Sequence, residues 1–156
     1  MGKNLIDTFL ELREKYATME LAPLIILQQR PNIILEDFSS LRSSINCVTM
    51  HVQNLRSERN SALYEWVFPP LHKTDFFVQA SKVLLQRLNI LEGKTKELKF
   101  MLYRNAYIES KEGAYKQLLI LFNDVRRILM VLKEDDDTNT LISYIKSKRI
   151  TGEVNG

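Results

Sequence analysis

Cys47 and His51 stand four residues apart, one turn of a helix, and Cys47 is the only thiol in the chain. A thiol beside an imidazole is the beginning of a nucleophilic dyad, because the ring nitrogen draws the proton from sulfur. The same pair could give two ligands to zinc, which needs three or four, and only His72 remains as an obvious addition. Asp135, Asp136 and Asp137 form a carboxylate run that a hard cation would accept. The glycine and ligand spacing of a calcium loop are missing, however. Glycines at 2, 93, 113, 152 and 156 are too scattered for a phosphate-binding loop, and neither a GxSxG elbow nor an HExxH helix occurs. The expectation is a protein that is not an enzyme, with no catalytic residues, no metal ligands and no cofactor. Cys47 and His51 then read as half-buried residues beside an apolar seam, and the aspartates as a solvated turn.

Basic residues offer a second chemistry. From Lys73 to Lys116 nine bases stand against five acids. Lys96, Lys99, Tyr103 and Tyr107 lie at helical spacing, which places charge and rings near one face, and with Lys94 and Arg104 they would suit phosphate contact and base stacking along a single strand. Acids interleave with these bases and no nucleic-acid-binding motif is present. Nucleic-acid binding through this stretch and the basic C-terminal helix is therefore the alternative reading, behind a plain solvated helix face.

These residues must be positioned by helices, and one stripe dominates. Phe38, Leu41, Ile45, Val48, Val52, Leu55, Arg59, Ala62 and Trp66 follow one another in steps of three and four. That is a coiled-coil-like seam, with β-branched residues at several a positions and leucine at two d positions. A parallel homodimer through it would pair Asp37 with Arg42, Ser44 with Thr49, His51 with Arg56, and Glu58 with Leu63. Only the first is an ion pair, so antiparallel packing within the chain fits better. The opposite side carries Ser39, Ser40, Ser43, Asn46, Gln53, Asn54, Ser57, Asn60 and Ser61, polar but uncharged. Such a face has a small desolvation penalty and suits cover by a partner.

The remaining punctuation sets the other elements. Leu5, Phe9, Leu12 and Tyr16 predict an amphipathic helix over about 3–18. In the apolar stretch 21–35, Pro23 can open a short helix and Pro31 end it, with a β-hairpin as the alternative. Pro69-Pro70 stops the seam helix. Thr74 and Asp75 then begin a helix with Phe77, Ala80, Leu84, Leu88 and Leu91 inward, running through Gly93 to about 110. Gly113 is the expected break before 114–133, whose apolar residues cover most of the circumference and predict the central helix. A last helix over about 138–149 ends in Lys146, Lys148 and Arg149.

A chain of 156 residues with net charge +3 fits one domain, here 1–150 with a frayed tail 151–156. One cysteine suits a reducing compartment. The start, Met1-Gly2-Lys3-Asn4, lacks the apolar core of a signal peptide, and the longest apolar run is broken by charges. The expected location is cytoplasmic or nuclear, with no membrane partner. The expected fold is all-α: an antiparallel bundle with long helices at about 35–67, 75–110 and 114–133 and shorter terminal ones. The expected function is a protein-interaction module, a scaffold, adaptor domain or complex subunit. Its expected partner-binding residues are Trp66, Phe68 and Phe76 at the aromatic turn, and Ser43, Asn54 and Ser57 on the uncharged face.

Overall fold

Asn4 opens the first helix by accepting the Asp7 amide on its side-chain oxygen at 2.8 Å, which satisfies one of the free amides of the first turn. The computed structural model describes residues 4–19, 31–57, 74–103 and 108–152. Among them are five helices and no strand: α1 (Leu5–Thr18), α2 (Pro31–Ser57), α3 (Asp75–Tyr103), α4 (Ile108–Glu134) and α5 (Asp136–Gly152). The fold is an all-α helical bundle.

The first four helices form a closed ring in which α1 packs on α2, α2 on α3, α3 on α4, and α4 on α1. Named contacts give the directions. Lys15 and Tyr16, near the end of α1, meet Asp37, near the start of α2. Arg42 pairs with Glu92 while Glu36 and Lys96 line one groove, so numbers rise along α2 as they fall along α3. Tyr16 lies on Phe122 and Glu14 on Lys133, which turns α4 against α1. Closing the ring then makes α3 and α4 antiparallel as well.

Each helix contributes one buried stripe. Phe38, Leu41, Ile45, Val48, Val52 and Leu55 are all buried, as the heptad spacing predicts, and Ile34 extends the stripe upstream. Ile6, Phe9, Leu12 and Tyr16 face them from α1; Phe77, Leu84, Leu88, Leu91 and Leu98 from α3; Leu118, Phe122, Val125, Leu129 and Leu132 from α4. Aromatic rings cross the bundle's centre, with Phe9 edge-on to Phe77 at 6.3 Å and Phe38 tilted against Phe122 at 5.5 Å. α5 packs on α4 beyond a one-residue joint, Asp135, and buries Leu141, Ile142 and Ile145.

Four expectations change. The seam helix begins at Pro31 and not near residue 35, because the first helical position needs no amide donor and favours proline's fixed φ. Gly113 lies inside α4, which begins at Ile108, so it is no break. α4 is not the central helix: Ile120 is 63% exposed and Val131 50% exposed, because the ring leaves the outer side of every member open. The last helix starts at Asp136 and continues through Gly152, past the point where a frayed tail was expected. Gly93, by contrast, sits within α3 as expected. Residues 21–30, and with them the choice between a short helix and a hairpin, lie outside the described residues.

Candidate functional site

Cys47 and His51 are both half-buried on α2, and among the described residues no three His, Cys, Asp or Glu side chains gather as metal ligands. His72 lies outside the described residues. Asp135 has a structural role. Its carboxylate accepts the Thr138 amide at 2.9 Å and the Thr138 hydroxyl at 2.6 Å, capping α5.

The basic residues of α3 do not share one face. Lys94 and Lys96 are two positions apart, which places them on nearly opposite sides of a helix. Lys94 pairs with Glu97 at 3.5 Å, while Lys96 lines a groove against α2. Lys99 is exposed and lies on the α2 side with Lys96. Arg104 and Tyr107 lie outside the described residues. The groove between α2 and α3 is open, about 590 Å3, and is lined by the paired Arg42 and Glu92, by Lys96, and by Asn32, Leu35, Glu36 and Ser39. Its two acids and two bases balance, so it has no net preference for an anion or a cation.

The expected partner surfaces divide. Trp66 and Phe68 lie outside the described residues, as does the side chain of Ser57. Phe76 is 44% exposed at the start of α3, and Ser43 and Asn54 are exposed on α2. Phe76 begins a row: Val83 and Ile90 follow at seven-residue steps, and each is exposed by a similar fraction. Seven residues is close to two turns, so the three lie along one edge of α3. Glu92 and Lys96 mark the α2 side of this helix, and the row lies on the other side, toward α4. On α4, Lys133 and Phe122 mark the α1 side, and Ile120 and Val131, each two positions from one of them, face outward on the far side of that helix. Exposed apolar side chains therefore stand on the outer side of both members of the α3–α4 pair, and together they form the candidate seam. Arg87 stands between Val83 and Ile90, and Arg127 between Ile120 and Val131, both exposed; Asp124 is the nearest acid on α4. The sequence did carry a signal for this seam, since the all-round apolarity of 118–132 exceeds what one buried stripe needs. Only the ring shows that the excess faces outward.

A second residue set was invisible to spacing. Arg13 of α1 donates to the Leu132 carbonyl at 3.2 Å and to the Asn139 side-chain oxygen at 2.9 Å, tying α1 to the end of α4 and the start of α5. Asn139 in turn donates to the Lys133 carbonyl at 2.8 Å. Burial lowers the Arg13 pKa, and the adjacent Glu14 charge acts in the opposite direction. These contacts hold the helices in place.

No helix among the described residues is long and apolar enough to cross a membrane. No protein-family model, no curated protein and no solved structure matches this chain.

Proposed function

We propose that the protein is a non-enzymatic interaction module, a helical subunit or adaptor domain that holds another protein against the outer seam of α3 and α4. The observation that carries this reading is the exposed row Phe76, Val83 and Ile90 along α3, with Ile120 and Val131 exposed on the outer side of the neighbouring α4. Isolated exposed apolar residues are ordinary on a protein surface, but a continuous patch marks a docking site. Covering five half-exposed side chains of this size yields about 1 kcal/mol each. That sum of roughly 5 kcal/mol is comparable with the lower bound of the rigid-body cost of association. Apolar cover alone therefore gives weak docking, and the partner must add contacts of its own. Arg87 and Arg127 invite carboxylates opposite them, as paired planar donors do.

The test is comparative capture from native cell extract with the full chain and with the Val83→Glu and Val131→Glu variants. Both substitutions lie on exposed positions, so helical content and thermal midpoint should match the parent. A protein retained by the parent and lost by both variants supports the reading. Identical captured sets from all three chains overturn it.

A further inference from the structure

α5 is attached to the bundle differently from the other four helices. α1 to α4 each pack on two neighbours and close a ring, whereas α5 packs on α4 alone among the stronger contacts. Among the described residues each ring helix sends at least five apolar side chains into the buried core, and α5 sends three, Leu141, Ile142 and Ile145. The four ring interfaces are complete without it, so lifting α5 parts no two ring members.

The named ties from α5 to α1 are polar. Arg13 donates to Asn139 at 2.9 Å, and Lys146 pairs with Asp7 at 3.1 Å. The Lys146 and Asp7 side chains are 47% and 37% exposed, so water replaces each partner as the pair separates and the pair adds little to the docked state. The chain turns at Asp135, the single residue between α4 and α5. Asp135 caps α5 through the Thr138 amide and hydroxyl, a contact spanning three residues that travels with the helix. The buried side chains Leu141, Ile142 and Ile145 keep α5 docked, and no ring interface has to break for it to leave.

We infer that α5 is a hinged strap, which docks on the ring and lifts from it as one unit about Asp135 while α1–α4 stay folded. Lifting uncovers Leu141, Ile142 and Ile145, an apolar helix face that the closed molecule hides, and releases Arg13 and Asp7 of α1 from their α5 partners. An undocked helix of 17 residues is marginal in water, so its amides lose protection each time the strap opens. The strap is separate from the α3–α4 seam and stands or falls independently of that seam's partner.

The test is native-state hydrogen exchange of the full chain over a series of urea concentrations below the unfolding transition. Amides over 139–147 should share one opening equilibrium and exchange at least roughly tenfold faster than amides of the buried α2 stripe over 45–52. Their urea dependence should be common to the segment and above zero, yet smaller than that of α2, because lifting one helix exposes less surface than unfolding the ring. Ile45→Val, a mild change in the ring's interior, should speed α2 exchange by about two- to tenfold and leave 139–147 unchanged, because the strap opens while the ring is intact. Exchange of α5 at the rate and urea dependence of α2 overturns the inference, since strap and ring then unfold together. So does exchange over 139–147 without urea dependence, which is fraying residue by residue. A speeding of 139–147 by Ile45→Val overturns it as well.

Discussion

Replacing Tyr16 by Phe removes one atom from the centre of the α1–α2–α4 junction. The ring remains, so its stacking on Phe122 at 6.4 Å and its tilted contact with Phe38 at 6.1 Å persist. What is lost is the hydrogen bond from the Tyr16 hydroxyl to Asp37 Oδ2 at 2.5 Å. A hydrogen bond to a charged acceptor contributes about 1.5–3 kcal/mol. Asp37 keeps Lys15 at 2.7 Å and some solvent contact, so the lower end applies. The expected loss is about 1.5 kcal/mol, or roughly 3–6 °C in midpoint for a chain of this length. The pH dependence supplies an independent signature. Burial first, then the hydrogen bond to Asp37 and its charge, push the Tyr16 pKa well above the ordinary tyrosine value. An unfolded tyrosine loses its proton near pH 10, while the folded one keeps it. Above that pH the unfolded state binds fewer protons, so stability falls as pH rises; below it the contribution is complete. At a limiting slope of 1.36 kcal/mol per pH unit, an advantage of about 1.5 kcal/mol closes roughly one unit above pH 10. Urea denaturation of both chains at pH 7, 9, 10 and 11 reads this directly. Equal stability at pH 7, or a gap that stays constant to pH 11, refutes the reasoning.

Two further substitutions test the fold's construction. Asp135→Ala deletes the α5 cap and leaves the buried Thr138 hydroxyl and amide without their acceptor, at a cost of about 1–2 kcal/mol. Because α5 packs on the ring through α4 alone among the stronger contacts, amide hydrogen exchange should rise across 136–147 and stay unchanged in α2; a uniform rise would contradict this. Gly93→Ala should stabilise the protein by about 0.5–1 kcal/mol, since a β-carbon there meets nothing within 4 Å and alanine restricts the unfolded chain. A lower thermal midpoint would show that α3 needs glycine at this point.

What the sequence made legible was whatever repeats along one helix. The α2 stripe from Phe38 to Leu55 and the inward set Phe77, Leu84, Leu88 and Leu91 follow from spacing alone, because burial of one face imposes a period near 3.6 residues. Boundaries set by single residues were less legible. Gly113 reads as a break in the sequence yet lies inside α4, because packing of the helix on its neighbours overrides the weak local preference of one glycine. The candidate surfaces split in the same way. The uncharged face of α2 was visible in composition, since Ser, Asn and Gln replace the usual Glu and Lys. The α3–α4 seam was legible only as an excess of apolar residues over 118–132, because Ile120 looks like a core residue until the ring shows which side of the helix is covered. Contacts between distant residues, such as Arg13 with Asn139 or Arg42 with Glu92, leave no periodic trace in one chain.

The central claim is that the outer seam of α3 and α4 is a docking surface. Its most direct test is hydrogen exchange on the chain recovered from native extract with its bound protein, compared with the chain alone. The account predicts added protection over 76–90 and 120–131, with α1 unaffected. Protection confined to other helices, or a chain recovered with nothing bound under gentle conditions, would contradict it.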